Sequence, residues 1–422
     1  MKLTTFLIAL TLLISLSTTR AQQDDKAMKQ RVAELVSKMT LEEKVGQMTQ
    51  ITIQAVSSKQ GNKDQHHELD VKKLQEAIRE YHVGSILNVY DKAHELEYWH
   101  QVISQIQDIA TKETRLGIPV LYGIDAIHGA TYTKGATLFP QALAVASTWN
   151  VEVARTAGEV TSLETRASGI PWNFYPNMDI GRQPLWSRMW ESFGEDVFLV
   201  SALGSEYIVA AQAEKPGQRS KLTTCLKHYI GYSAPFNGLD RTPAHISERM
   251  LREYHLPPFE AGVRAGSHTV MVNSAEIDGI PGHANYHLLT EVLRNELHFE
   301  GLVVSDWEDI KRLHTRDKVA ETPKEAVKIA VMAGVDMSMV PYDFSFYNYL
   351  LELVKDGTVP MSRIDEAVSR ILLVKMRVGL FENAYPETEL KPHFASEKHT
   401  QLNIHAAEES FILLKNDDQI LP

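Results

Sequence analysis

The 422-residue chain contains 43 lysines and arginines against 54 aspartates and glutamates, which gives a formal net charge of −11. This acidic balance argues against nucleic acids and anionic membrane surfaces as partners. With 44% hydrophobic residues, the chain can bury a large core. The one cysteine, Cys225, cannot form an intramolecular disulfide or a metal site by itself, so we expect it to lie in the core.

The first 21 residues have the pattern of a secretory signal peptide. Lys2 precedes an apolar-rich run, residues 6–16, that is too short to span a bilayer, and the small residue Ala21 follows. We therefore predict that residues 1–21 are removed and that the protein is exported, to the periplasm or the extracellular space. Their removal changes the formal charge to 41 − 54 = −13. No cysteine lies near the cleavage point, so no membrane anchor is expected.

After a charged segment that we predict to be helical, residues 29–43, short apolar-rich runs alternate with segments of helical periodicity. Such alternation is typical of parallel strands joined by right-handed crossovers. The eight candidate strands are residues 46–53, 84–90, 118–125, 172–179, 225–230, 269–274, 301–306 and 335–339. We predict an α/β fold, a (β/α)8 barrel of the TIM type over residues 22–380. A doubly wound open sheet is the alternative, but the glycine-rich nucleotide motifs that often accompany it are absent.

The tail of the chain has a different pattern. Residues 362–378 are predicted to form an amphipathic closing helix, and the Pro- and Glu-rich stretch after it begins a linker, residues 381–409. Within the linker, residues 401–409 could form a helix. Residues 410–414 resemble a strand, and we predict that residues 410–422 begin a truncated second α/β domain.

One predicted strand ends in a carboxylate. Residues 302–304 form a short apolar run rich in β-branched side chains, and Asp306 and Trp307 follow it. In a parallel barrel, the carboxyl ends of the strands form the active face, where residues from several strands meet. A single Ser-Asp pair would otherwise be interpreted as the cap of the next helix.

Other polar side chains follow other predicted strands. Asp125 lies between two glycines and could hold two hydroxyl groups of a ligand, or could bond its own backbone as a loop aspartate. Lys227 and His228 end another strand, where an inward orientation competes with a solvated loop. Arg188 lies close to Trp186, a combination of guanidinium and aromatic ring that suits sugars but also occurs in surface loops. His66 and His67 lack metal-ligand spacing and are interpreted as a solvated loop.

Several separated motifs in this order resemble the barrel domain of glycoside hydrolase family three, on its β-glucosidase and β-glucan exohydrolase side. The resemblance covers roughly residues 30–422 and rests on Tyr122 to Gly129, Phe139-Pro140-Gln141, Glu191 to Asp196, Lys227-His228, Gly282 to Asn285 and Val304 to Trp307. It implies an enzyme that removes terminal β-D-glucosyl residues from oligosaccharides or β-glucans with retention, with no cofactor and no metal.

The resemblance also implies roles for individual residues. Asp306 would be the catalytic nucleophile, and the pocket for the terminal sugar would be lined by Asp125, Arg188, Lys227, His228 and Trp307. The acid/base residue of this branch usually comes from the second domain, so we expect it beyond residue 422. If it lay within the chain, Glu276, Glu308 or His228 would be the candidates. A non-catalytic sugar-binding protein and a related glycosidase such as a β-xylosidase are the alternatives.

The chain departs from the family pattern in two places. Gln183, Leu185 and Ser187 stand where many members carry Asp, Arg and Gly, which bears on the placement of Arg188. Ser274 replaces an aromatic residue near the nucleophile, so Asp306 would lack one hydrogen-bond partner or have a substitute. The N-acetylglucosaminidase branch resembles the chain less well, because its catalytic histidine is missing from the loop at residues 238–242.

Overall fold

A computed structural model describes residues 24–58, 68–89, 92–213 and 221–417, together with residues 419 and 421. The predicted signal peptide and the His66-His67 pair lie outside these residues. No helix in the described ranges combines the length and the apolar character needed to cross a bilayer.

Parallel strands form a closed ring within the described part of the chain. The barrel strands are β1 (Thr49–Thr52), β2 (Ser85–Leu87), β3 (Leu121–Ile124), β4 (Trp172–Asn173), β5 (Cys225–Tyr229), β6 (Thr269–Val272), β9 (Leu302–Val304) and β10 (Ser338–Met339). One sheet has the order β10-β1-β2-β3-β4 and the other β5-β6-β9, and parallel bridges from Asn177 to Lys227 and from Val304 to Met337 join the two. Each strand lies within a predicted strand, so the (β/α)8 barrel is confirmed and the open sheet is wrong.

Helices surround the ring, and a short antiparallel hairpin, β7 (Glu276–Ile277) with β8 (Ile280–Pro281), follows β6. The α-helices are α1 (24–38), α2 (Leu41–Gln47), α3 (Val71–Gln75), α4 (Leu96–Lys112), α5 (Ala142–Ser147), α6 (Val151–Ala167), α7 (Val197–Gln212), α8 (Glu248–Met250), α9 (Leu256–Arg264), α10 (Asp309–Thr315), α11 (Pro323–Ala333), α12 (Ser345–Lys355), α13 (Met361–Arg377) and α14 (Glu397–Glu409). Wider π-type turns occur at Glu76–Glu80, Leu251–His255 and His287–Glu296. Cys225 is fully buried, as predicted.

The predicted lead helix is in fact two helices. Thr40 is extended and its hydroxyl accepts a hydrogen bond from the amide of Glu43, while the Glu43 carboxylate accepts one from the amide of Thr40. This reciprocal capping box marks the start of α2, so the first helix, α1, ends before it. The continuous helix predicted for residues 29–43 is therefore wrong at this point.

The closing helix is confirmed as Met361–Arg377, but the segment after it is more ordered than the linker prediction implies. Leu390 is fully buried, and Arg166 binds Glu387 at 3.0 Å with both side chains inaccessible to solvent. The helix Glu397–Glu409 starts four residues earlier than expected. Residues 411–416 have no regular structure, so the strand predicted for residues 410–414 is not formed. The role of the segment in joining two domains stays a prediction.

A buried carboxylate stabilises the amino-terminal side of β10. Asp336 is fully buried, and its oxygens accept hydrogen bonds from Arg294 (2.7 Å), Arg363 (2.8 Å), Arg370 (3.0 Å) and the amide of Val303 (3.0 Å). Burial raises the pKa of Asp336, but the three guanidiniums outweigh it and lower the pKa below its ordinary value. The carboxylate links β9, the helix before it and α13.

We predict that Asp336→Asn lowers the free energy of unfolding by about 3 kcal/mol, because three clustered guanidiniums lose their counter-charge. Urea denaturation would measure the change. Since the folded-state pKa of Asp336 is lowered, its contribution is present above the pKa of the unfolded chain and is lost as the pH falls. Glu97→Gln, at an exposed pair with Lys391, is the control and should leave the midpoint unchanged. Equal midpoints for the two variants would contradict the prediction.

Candidate active site

Asp306 lies two residues after β9, and its side chain is 9% exposed. Its Oδ1 accepts a hydrogen bond from the amide of Trp307 at 2.5 Å. Its Oδ2 is buried and has no hydrogen-bond partner among the described residues. The residue that precedes helix α10 is Glu308, so the interpretation of Asp306 as a helix cap is wrong. One oxygen of Asp306 is therefore held by a backbone amide, whereas the other accepts no hydrogen bond in the described chain.

Asp125 follows β3 and binds Lys227 on β5, with 2.8 Å between Oδ1 and Nζ. Asp125 therefore pairs across the barrel instead of with its own backbone, and 31% of its side chain is exposed. Burial lowers the pKa of Lys227, but the negative charges of Asp125 and Glu191 outweigh it and raise the pKa above its ordinary value. Lys227 points inward, and the pair presents both charges at the end of the strands.

His228 is buried and neutral. Its Nδ1 lies 2.9 Å from Oδ2 of Asp179, and its Nε2 lies 3.1 Å from a guanidinium nitrogen of Arg188. Since Arg188 can only donate, Nε2 accepts and Nδ1 carries the proton. Burial and the charges of Arg188 and Lys227 hold the pKa of His228 well below its ordinary value. Asp179 ends a predicted strand, but the sequence assigned it no role.

Arg188 is fixed by a carboxylate close to it in the chain. Glu191 binds it through two parallel contacts, Nε to Oε1 at 2.7 Å and Nη2 to Oε2 at 2.9 Å, and Nη1 donates to the hydroxyl of Tyr232 at 3.2 Å. Burial lowers the pKa of Arg188, yet Glu191 raises it above the ordinary value. The departures at Gln183, Leu185 and Ser187 therefore leave Arg188 in a defined position. No role was predicted for Glu191 or Tyr232.

Trp307 is partly buried beside Asp306. Its ring meets that of Tyr342 edge to face, with 5.9 Å between the centroids. Tyr342 is 51% exposed. A partly exposed ring next to a carboxylate, as Trp307 provides, suits the apolar face of a sugar.

Arg241 is the residue that the sequence missed altogether. Its Nη1 donates a short hydrogen bond to Oγ of Ser274 and lies 3.6 Å from Oδ2 of Asp306 and 3.7 Å from Oδ2 of Asp309. Burial raises the pKa of Asp306, but Arg241 and Arg188 outweigh it and lower that pKa. Burial and the charge of Asp306 raise the pKa of Asp309 to about 7. Beside Ser274, Asp306 thus has a guanidinium as an ion-pair neighbour, but Oδ2 accepts no hydrogen bond in the described chain.

The structure thus brings the six predicted site residues to one end of the barrel. This defines an α/β barrel with a polar, charge-rich cluster of side chains at the carboxyl ends of its strands, which is where barrel enzymes bind their substrates. The chain belongs to the family described as the glycosyl hydrolase family 3 N-terminal domain, whose model matches residues 40–374. The resemblance found from the motifs is confirmed.

Relatives with known names are glycosidases. The chain is 42% identical over 407 residues to a lysosomal beta glucosidase of Dictyostelium discoideum, covering 93% of this chain and 49% of the relative. It is 34% identical to a periplasmic beta-glucosidase of Salmonella typhimurium, covering 93% and 48%. Beta-xylosidases also occur among the relatives.

A solved structure of a beta-glucosidase is also similar to this chain. The beta-glucosidase of Listeria innocua in complex with glucose superposes with a TM-score of 0.82 at 32% identity, covering 93% of this chain and 53% of that one. The chain spans about half the length of the curated relatives it matches.

Proposed function

We propose that the protein is an exo-acting β-glucosidase that hydrolyses terminal β-D-glucosyl residues with retention, with Asp306 as the nucleophile. The observation that carries the proposal is Oδ2 of Asp306, a buried carboxylate oxygen at the active end of a barrel that has no hydrogen-bond partner in the described chain. A carboxylate left with one free oxygen is suited to attack an electrophilic carbon. β-Glucosidase relatives that match 93% of the chain support the same activity.

The other site residues suit the binding of a terminal sugar. Asp125 and Lys227 present an acceptor and donors side by side, and Arg188 and His228 add further polar groups within one network. Such groups can hold several hydroxyls, while the ring of Trp307 packs against the apolar face of the sugar. We propose β-linked glucosides or oligosaccharides as the substrates.

In the proposed reaction, Oδ2 of Asp306 forms a bond to the anomeric carbon while the bond to the departing oxygen breaks. A separate acid protonates that oxygen, and water later hydrolyses the glycosyl ester. These steps need no metal or organic cofactor. Asp309 is a poor acid for the first step because its carboxyl is fully buried and bound to Arg312.

The other internal candidates for the acid are no better placed. Glu308 pairs with Lys311 at 3.2 Å, and both ring nitrogens of His228 are occupied. Glu276 lies on the hairpin strand β7, outside the network that holds Asp306. We therefore propose, as the resemblance implies, that the acid/base residue lies beyond residue 422, in a region corresponding to the part of the relatives that this chain does not match.

We also propose export to the periplasm or the extracellular space. The pattern of residues 1–21 supports it, as does the name of the periplasmic relative. The acidic composition and the sugar-binding type of site are compatible with that location.

Asp306→Asn should reduce turnover of 2,4-dinitrophenyl β-glucoside by about 1000-fold or more, because an amide cannot form the glycosyl ester. Proton NMR early in the wild-type reaction should show the β-anomer of glucose first. An unchanged melting temperature of the variant would exclude misfolding. Near-normal activity of the variant would remove Asp306 as the nucleophile, and initial α-anomer would indicate inversion.

Asp125→Ala should lower kcat/KM for the same substrate by about 100-fold, because hydrogen bonds to sugar hydroxyls that tighten in the transition state are lost. Trp307→Ala should have a smaller effect because stacking is less directional. The control is Asp108→Ala, on the exposed side of helix α4. If Asp125→Ala and Asp108→Ala gave equal kinetics, Asp125 would have only a structural role.

The 422-residue chain should hydrolyse 2,4-dinitrophenyl β-glucoside but cleave cellobiose very poorly, because only the acidic phenol leaves without protonation. Azide should accelerate turnover of the aryl glucoside and yield β-glucosyl azide, since an anion needs no general base. Rapid cellobiose hydrolysis without an effect of azide would place the acid/base within the chain.

A parallel assay with the aryl β-xyloside distinguishes a β-xylosidase, and a pure sugar-binding protein would release no phenol from either substrate.

A further inference from the structure

One guanidinium faces two buried carboxyl groups in the active site. Nη1 of Arg241 lies 3.6 Å from Oδ2 of Asp306 and 3.7 Å from Oδ2 of Asp309, and it donates to the hydroxyl of Ser274. Asp309 is fully buried, and its other oxygen accepts from Arg312 at 2.8 Å. A single cation therefore lies between the free oxygen of Asp306 and a second acidic group.

The loop that carries Arg241 is fixed by its own hydrogen bonds. The amide of Phe236 donates to the carbonyl of Pro243 at 3.0 Å, and the hydroxyl of Thr242 donates to Asn237 at 2.6 Å. Arg241 itself has a left-handed φ of 60°, which is uncommon for a residue other than glycine.

The neighbour of Arg241 anchors the loop to the barrel. Oδ1 of Asp240 accepts a hydrogen bond from Nε1 of Trp186 at 2.9 Å, and the ring of Trp186 packs edge to face on Tyr232. Tyr232 in turn binds Arg188. The positions of the two arginines that face Asp306 are therefore coupled through one aromatic pair.

We propose that Arg241 is a positioning residue for the nucleophile: its guanidinium, held by Ser274, keeps the free oxygen of Asp306 ionised and separated from Asp309. The inference rests on the proposed function, because it assigns a role only if Asp306 attacks the sugar. A buried carboxylate beside a second carboxyl would otherwise take up a proton, since both burial and the like charge favour the neutral acid. A protonated Asp306 cannot attack.

The charged groups around the pair support this role. Besides Arg241 and Asp309, the titratable groups that act electrostatically on Asp306 are Arg188, His283, Glu191, Tyr232 and Cys225. Those that act on Arg241 are Asp240, Arg188, Arg316, His228 and His283. Of the cations among them, Arg188 is already bound on two sides by Glu191. Arg241 has no such two-point partner in the described chain: its Nε lies 3.7 Å from Oδ2 of Asp240, and its Nη1 faces Asp306 and Asp309.

The test measures the attack of Asp306 directly, in the 422-residue chain, with 2,4-dinitrophenyl 2-deoxy-2-fluoro-β-glucoside. Oδ2 of Asp306 bonds to the anomeric carbon and dinitrophenolate leaves with the electron pair, so the step needs no acid catalyst. Intact-protein mass spectrometry counts the labelled fraction over time, between about pH 3.5 and 8.

Arg241→Gln should lower the maximal labelling rate at neutral pH by about tenfold or more, because the free oxygen of Asp306 is no longer held apart from Asp309, with less than about a threefold change in the half-saturating concentration. The acidic limb of the pH profile should move to higher pH by about one unit, because the loss of the cation raises the pKa of Asp306. Arg241→Lys should restore the limb and part of the rate. Asp309→Asn, which removes a negative charge, should not move the limb upward. Arg249→Gln, at an exposed arginine paired with Glu253, is the matched control and should match the wild type.

The outcomes separate the two proposals. If Asp306→Asn abolishes labelling but Arg241→Gln keeps both the rate and the acidic limb of the wild type, Asp306 remains the nucleophile and the role of Arg241 is refuted. If the wild-type chain is not labelled, or Asp306→Asn is labelled at the wild-type rate, the proposed function fails. A melting temperature lowered equally in Arg241→Gln and Arg241→Lys, with equal losses of rate, would show a structural role only and would also refute the inference.

Discussion

The barrel depends on cations and amide donors that compensate the negative charge of its buried carboxylates. Transfer of one ionised carboxylate out of water costs several kcal/mol even after relaxation, so each must meet cations or amide donors. Asp336, on the amino-terminal side, has four donors for two oxygens and is thereby saturated. Asp306, at the opposite end, has the amide of Trp307 on one oxygen and only the more distant Arg241 at the other. The first arrangement stabilises the fold, whereas the second leaves an oxygen available for chemistry.

Around Asp306, polar side chains are held in pairs. Lys227 is held by Asp125, His228 by Asp179, and Arg188 by Glu191. The first two pairs join residues that lie on or just after different strands, so the closed ring of strands fixes their mutual positions, whereas Arg188 and Glu191 lie three residues apart in one loop. A site whose groups are already oriented loses little free energy in arranging them around a ligand. The fixed tautomer of His228 is an example, because its two ring contacts leave one nitrogen as donor and the other as acceptor.

Much of this arrangement could be predicted from the sequence. The strands are short apolar runs that end in polar residues, and in a parallel barrel all such ends lie on one face. Topology therefore placed Asp125, Lys227, His228 and Asp306 at strand ends, and the family resemblance assigned them to one site. The break at Thr40 was also readable, because Thr-x-x-Glu is the signature of a capping box. The packing of the segment after residue 380 was not, since a composition rich in Pro and Glu hides the single buried Leu390 and the pair of Arg166 with Glu387.

Arg241 could not be found in this way because its role depends on pairings over long distances in sequence. Ser274 is 33 residues away and Asp309 lies on a helix that begins after a different strand. Neither residue has a local pattern that indicates a partner, and the left-handed backbone of Arg241 follows from the fold of its loop. The same dependence explains why Ser274 is compatible with a nucleophile beside it. A small hydroxyl residue leaves room for the guanidinium and accepts a hydrogen bond from it, so the side chain that interacts with Asp306 comes from a neighbouring loop instead of from the strand itself.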